Sequence, residues 1–201
     1  MKFKTLFLAM FFVACNTVPM SDYDVSHLEG FSKATFSGGC FWCMEPAFEA
    51  MDGVEESVSG YIGGGEEDAF YKEVVSGDTG HREAVQVYYD AEKVKYDDLL
   101  ESYWRQIDPT DAGGQFADRG EQYKTAIYYH TEDQRVGAQA AKEDLELSGK
   151  FDTPVVTEVL AASEFFPAEE EHQDFYKKQS DHYKRYKKGS GRTDFIDDNW
   201  K

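Results

Sequence analysis

The residues best equipped for chemistry sit together in the stretch Gly38-Gly39-Cys40-Phe41-Trp42-Cys43-Met44-Glu45. Paired glycines permit a tight turn, and a thiol directly after them falls in the first turn of a following helix. There the unpaired backbone N–H groups and the helix dipole favour thiolate over thiol. Cys40 is therefore read as a nucleophile. Phe41 and Trp42 follow it and offer apolar walls suited to a methyl group. Cys40 and Cys43 as small buried hydrophobes is the commoner fate of free cysteines, and the double glycine is what favours reactivity here. With three cysteines in all, the chain cannot be a disulfide scaffold. A lone CxxC without a second pair or a nearby HxxxH also falls short of a structural zinc site. No metal site is expected, and a redox or nucleophilic CxxC is the better reading.

Positioning these residues requires a strand before the turn and a helix after it. Lys33 to Ser37 reads as that strand, and the helix runs from Cys40 to about Met51, with Gly53 as its stop. Val54 to Tyr61 and Glu83 to Tyr89 alternate as strands, and Tyr96 to Ile107 carries a helical apolar face. Thr110 to Gln122 is a long polar loop and a candidate for function. Tyr123 to Tyr129 is a further strand, and Thr131-Glu132-Asp133-Gln134 has the spacing of a capping box before a helix ending near Gly149. Val155 to Ala161 reads as a strand, and Pro167 opens a charged helix from Ala168 to about Lys188. The sum is an α+β fold: a two-layer α/β sandwich with a mixed sheet and a ferredoxin-like core, its active site at a strand-to-helix turn.

The chain has 201 residues, 41% of them hydrophobic, enough for one domain with its own core. Its formal net charge of −18 repels nucleic-acid phosphates and anionic head groups, so nucleic acid is excluded as a partner. Residues 1–15 read as a targeting segment: Lys2 and Lys4 precede a short apolar run, Leu6 to Val13, too short to span a bilayer. Phe12-Val13-Ala14-Cys15 resembles a lipoprotein cleavage box, which makes Cys15 a lipidation site and the protein a membrane-anchored, extracytoplasmic lipoprotein of a bacterial envelope. Residues 16–31 then form a tether, 32–188 the catalytic domain and 189–201 a polar, loosely held tail. A monomer is expected.

Gly39-Cys40-Phe41-Trp42 resembles the signature of the peptide methionine sulfoxide reductase A family, and the similarity covers roughly Ala34 to Tyr186. Tyr71 with Ser76-Gly77-Asp78-Thr79-Gly80-His81-Arg82-Glu83 resembles a second family motif. Asp118-Arg119-Gly120-Glu121-Gln122-Tyr123 resembles a third, and Phe166-Pro167-Ala168-Glu169 with His172-Gln173 a fourth. The resemblance implies thiol-dependent reduction of methionine S-sulfoxide, free or in oxidised proteins, with no bound cofactor and an external thioredoxin-like dithiol as reductant. It makes Cys40 the nucleophile, Phe41 and Trp42 the walls around the substrate methyl, and Glu83 the acid serving the sulfoxide oxygen. Tyr71, Asp118 and Tyr123 complete the polar side, and His81 and His172 are structural neighbours. Glu83 within aromatic walls is expected to stay protonated near neutral pH.

The chain departs from the family pattern at Glu121, Lys124 and Ile107, and its tail from Gly189 to Lys201 lacks the resolving cysteine many relatives carry. Cys43 is the remaining internal thiol, at a spacing that allows a disulfide with Cys40. Two courses stay open: Cys43 resolves the Cys40 sulfenic acid, or Cys40 is reduced directly with Cys43 inert. A thioredoxin-like protein thiol–disulfide oxidoreductase is the alternative enzyme, and an acidic surface lipoprotein using CxxC as a ligand pair is the alternative outside catalysis.

Overall fold

The computed structural model describes residues 21 and 23–200. The targeting segment, the cleavage box and Cys15 lie outside the described residues. The first strand, β1 (Ser32–Ser37), leads through the Gly38-Gly39 turn into α1 (Phe41–Glu49), and β2 (Val54–Ile62) returns. After the single turn α2 (Tyr71–Val74), β3 (Arg82–Tyr89) leads into α3 (Tyr96–Trp104). Two short strands, β4 (Gly114–Gln115) and β5 (Asp118–Arg119), form a separate ribbon. Then come β6 (Ala126–Tyr129), α4 (Glu132–Leu147), β7 (Glu158–Ala161) and β8 (Phe165–Pro167). The chain finishes with α5 (Phe175–Lys178), α6 (Ser180–Gly189) and α7 (Arg192–Trp200).

The main sheet has six strands in the order β7-β6-β1-β3-β2-β8. Only β6 and β7 are parallel, so the sheet is mixed. Its centre, β6-β1-β3-β2, with α1 and α3 as crossovers, is the ferredoxin-like core expected from the alternation of elements. Period two along β3 puts Val85, Val87 and Tyr89 on the helix-covered face, and Glu83 has the same parity. Phe36 of β1 stacks on Phe48 of α1 at 5.1 Å and on Tyr103 of α3 at 5.0 Å between ring centroids, tying both helices to the sheet. The Tyr103 hydroxyl donates to the Ser37 carbonyl at 2.9 Å, fixing the strand end that launches the turn. At α4 the expected cap is present: the Thr131 hydroxyl accepts the Gln134 N–H at 3.2 Å.

Three expectations are corrected. Pro167 ends strand β8 instead of opening a helix, and the charged C-terminal segment is divided into α5 and α6, with Gln179 between them at φ −128. That segment is held by Gln173, whose carboxamide accepts the Ser59 N–H at 2.9 Å and donates to the carbonyls of Ser59 and Ala168, filling in for a strand neighbour. The stretch expected to be a loose tail from Gly189 is largely helix α7, whose first residue, Arg192, is 1% exposed. Part of the supposed tether is packed as well: Leu28 is buried with Val58 and Tyr88, and Tyr23, Val25 and Phe31 close over them.

Candidate active site

Cys40 caps the N-terminus of α1 in extended geometry (φ −55, ψ 121), placed there by Gly39 at φ +79. A side chain on Gly39 would sit 2.6 Å from Gln115 Cβ and 2.8 Å from an Arg192 nitrogen, so both its backbone conformation and the close approach require glycine. Glu83, the first residue of its face of β3, points at this helix end, and its Oε2 accepts the Phe41 N–H at 3.1 Å. Burial pushes the Glu83 carboxyl up to about 8, helped by Asp118 and opposed by that N–H bond. The Glu83 carboxyl is thus held protonated at neutral pH, at the helix end that Cys40 caps.

The two thiols share a hydrogen bond, and no disulfide joins them. Burial pushes the Cys40 thiol well up, and Cys43 strengthens the effect. The bond from Cys40 lowers Cys43 to about 7 against its own burial, with Arg192 and Lys187 adding positive field. The shared hydrogen bond thus favours deprotonation at Cys43 over Cys40, whereas the expectation has the helix end favouring a Cys40 thiolate. The reason lies in the donors: the Phe41 N–H is committed to Glu83 and the Cys43 N–H to the Cys40 carbonyl at 3.0 Å. The cap sulfur accepts no backbone hydrogen bond from the helix.

Around the sulfurs the remaining expected residues converge. Tyr71 and Tyr123 are half-buried, and burial together with the fields of Glu83, Cys40 and Asp118 raises both hydroxyls, Tyr71 to about 12. Both remain neutral donors near the acid. Asp118, raised chiefly by burial, accepts a short hydrogen bond from the Tyr186 hydroxyl. Phe41 is 0% exposed, packed on Tyr61 and His172, while Trp42 is half-buried and presents the aromatic surface. One face of Trp42 stacks on Phe175 at 3.7 Å, and its indole N–H donates to His172 Nδ1 at 3.2 Å. His172, whose pKa is lowered by burial, thus orients Trp42. His81 accepts the Gly64 N–H at Nδ1 and meets the Gly65 carbonyl at Nε2, a structural neighbour as expected.

Sequence reasoning missed three participants. Tyr186 holds Asp118, but in sequence it was one more aromatic in a charged helix. Arg192 donates to the carbonyls of Gly38 at 2.8 Å and Gln106 at 2.7 Å, and lies over the Phe116 ring at 4.7 Å. Nothing local to the polar sequence Gly189-Ser190-Gly191-Arg192 marks it. Glu45, 1% exposed in the apolar first half of α1, accepts the Asp174 N–H at 2.7 Å, and burial pushes its carboxyl up to about 8. A carboxylate at i+5 from the nucleophile in an apolar run was the available signal.

Glu45, Glu49 and Asp174 bring carboxylate oxygens within 4.8 Å of one another. The Lys177 ammonium lies 2.7 Å from both Glu49 and Asp174 and supplies the cation this group calls for. No helix among the described residues is long and apolar enough to cross a membrane.

Comparison with known proteins points one way. A family profile for peptide methionine sulfoxide reductase matches residues 32–201. Peptide methionine sulfoxide reductase MsrA of Listeria innocua is 54% identical over 173 residues, which is 86% of this chain and 98% of that protein. Among solved structures, methionine sulfoxide reductase A of Corynebacterium diphtheriae superposes with a TM-score of 0.66 at 30% identity over 76% of each chain. Reduced Mxr1 of Saccharomyces cerevisiae gives a TM-score of 0.70 at 27% identity over 74% of this chain and 86% of that one.

Proposed function

The chain belongs to the peptide methionine sulfoxide reductase family and is a thiol-dependent methionine sulfoxide reductase; from that premise we propose that Cys40 attacks the sulfoxide sulfur while Glu83 protonates its oxygen. The observation that carries this assignment is the buried Glu83 carboxyl, held by the Phe41 N–H at the helix end that Cys40 caps. A sulfoxide sulfur is a poor electrophile until its oxygen is protonated or strongly hydrogen-bonded, and Tyr71 and Tyr123 add neutral donors on the same side. Trp42, backed by Phe41, receives the methyl of the S epimer, and Asp118 is held by Tyr186 at the polar rim.

The proton balance uses both sulfurs. As Cys40 attacks, its proton passes along the shared hydrogen bond to the Cys43 thiolate, and the Glu83 proton goes to the sulfoxide oxygen. Oxygen moves to Cys40 as a sulfenic acid and methionine leaves. Glu83 recovers a proton from the Cys43 thiol, and the Cys43 thiolate then attacks the Cys40 sulfur. Water departs with the Glu83 proton and a Cys40–Cys43 disulfide remains. A thioredoxin-like dithiol reduces that disulfide by exchange and is itself oxidised. Two measurements test the scheme. Cys40→Ser is expected to abolish reduction of methionine sulfoxide, and activity equal to wild type overturns the assignment. Mass spectrometry after one stoichiometric turnover is expected to show a Cys40–Cys43 disulfide; a persistent sulfenic acid with Cys43 free overturns the resolving role.

Phe12-Val13-Ala14-Cys15 supports a further proposal, that Cys15 is lipidated and tethers a monomeric enzyme to the outer side of a bacterial membrane. An unacylated Cys15 retained within the intact chain of the mature protein contradicts it.

A further inference from the structure

The chain holds 39 acidic against 21 basic residues, yet α5 and α6 gather Lys177, Lys178, Lys184, Arg185, Lys187 and Lys188, with Asp181 the sole acid between Phe175 and Thr193. Some of these cations are spoken for. Lys177 meets Glu49 and Asp174, Lys178 meets Glu170, and Lys187 is half-buried beside the thiol pair. Lys184, Arg185 and Lys188 are exposed and have no ion pair among the described residues. Lys184 and Lys188 stand four apart, a like-charge spacing that costs a helix about 0.2–0.5 kcal/mol. The helix dipole offsets this in the last turn and not at Lys184. Helix stability therefore does not account for the stripe.

Its position does. The opposite side of α6 belongs to the active site: Tyr186 bonds Asp118, and the rings of His182 and Tyr186 lie 6.1 and 5.9 Å from that of Trp42. An extended polypeptide advances about 3.3 Å per residue, so residues two or three away from a bound methionine sulfoxide pass over this helix. Screening confines surface fields to about 8–10 Å, so flanking residues that lie over the outer side of α6 meet the stripe, while Asp118 and Glu169 next to the bound residue are already engaged by Tyr186, Tyr61 and the Tyr71 N–H.

We propose that Lys184, Arg185 and Lys188 form a docking surface for acidic residues flanking methionine sulfoxide in an oxidised polypeptide, so that the enzyme selects protein-bound substrate in acidic sequence context. The inference rests on the proposed placement of substrate between Trp42 and Glu83. The test compares kcat/KM for peptides of one length whose central methionine sulfoxide is flanked by Glu, Ser or Lys, alongside free methionine sulfoxide. Dithiothreitol serves as reductant, with a thioredoxin-like protein dithiol in a parallel arm, and wild type is compared with K184E/R185E/K188E and with R185E alone at low and high salt. In wild type the Glu-flanked peptide is expected to exceed the Lys-flanked one by about tenfold, carried by KM and lost at ~0.5 M salt, where screening shortens to a few ångströms. The triple variant is expected to reverse the order and R185E to weaken it, with free methionine sulfoxide reduced equally by all three proteins. Wild-type rates indifferent to peptide charge, or a preference unchanged by the substitutions, overturn the proposal. So does a substitution effect confined to turnover with a protein dithiol, which assigns the stripe to the reductant. Failure of wild type on every substrate, the free amino acid included, overturns the site assignment instead.

Discussion

Glu83 and Cys43 divide the proton work between them, and their titrations lie at and just above neutrality. Glu83 titrates at about 8 and serves only while protonated; Cys43 titrates at about 7 and serves only as thiolate. Steady-state kcat/KM is therefore expected to rise through about pH 7 and fall through about pH 8, a narrow bell. Glu83→Gln keeps the hydrogen bond to Phe41 N–H but has no transferable proton, so it should lose activity by a factor of about 10²–10⁴ and remove the alkaline limb. Single-turnover rates across pH check both. Arg192→Met is expected to raise the Cys43 pKa, read as a shift to higher pH in thiolate absorbance in a Cys40→Ser background. An unshifted titration means that Arg192 acts on the turn alone. At this scale much was legible: Cys40, Phe41, Trp42, Glu83, Tyr71, Asp118 and Tyr123 converge as expected. The charge on the thiol pair was not legible, because it depends on which acceptors take the helix N–H groups, a matter of tertiary placement.

Among the elements, the strand-to-helix turn is bonded by Tyr103 from α3 and by Arg192 from α7, and Gln115 from β4 packs close against Gly39. The segment after β8 is held differently, through the Gln173 carboxamide on Ser59, and it delivers His172 to the indole N–H of Trp42 and Phe175 to a face of its ring. Gln173→Ala leaves buried backbone groups of Ser59 unpaired, at a cost of about 1–3 kcal/mol. The released segment is expected to raise KM for methionine sulfoxide several-fold while the alkaline limb set by Glu83 stays in place. A shifted limb together with an unchanged KM contradicts this role. The central elements were readable because each carries its own periodicity: β3 alternates, α3 has one apolar face, and Thr131 begins α4 with a cap. The C-terminal region misled because Pro167 is equally at home at the end of a short edge strand and at the first turn of a helix. Arg192 had no periodic pattern to announce its burial, since long-range bonds to Gly38 and Gln106 and the Phe116 ring account for it.

For the molecule as a whole, two carboxyls buried at the price of raised pKa values, Glu45 and Glu83, link stability to pH. Both titrate at about 8 when folded, against an ordinary 4.5. Between those values the folded chain binds more protons than the unfolded one, so stability is highest below about pH 4.5 on their account and declines as pH rises to 8. The urea midpoint is expected to fall between pH 5 and pH 8, and Glu45→Gln should flatten that slope; an equal slope in the variant removes Glu45 from the linkage. The fold also bears on how the enzyme comes into being. Arg192 and the Gly38 carbonyl it grips stand 154 positions apart. Synthesis proceeds from the N-terminus, and upstream segments begin to fold as they emerge. A ribosome-bound chain can thus present the reactive cysteine loop long before the arginine that completes it has been translated. Oxidant repair is then a property the protein acquires only once Arg192 has reached the turn, and the loop passes through its most exposed moment while still a nascent chain.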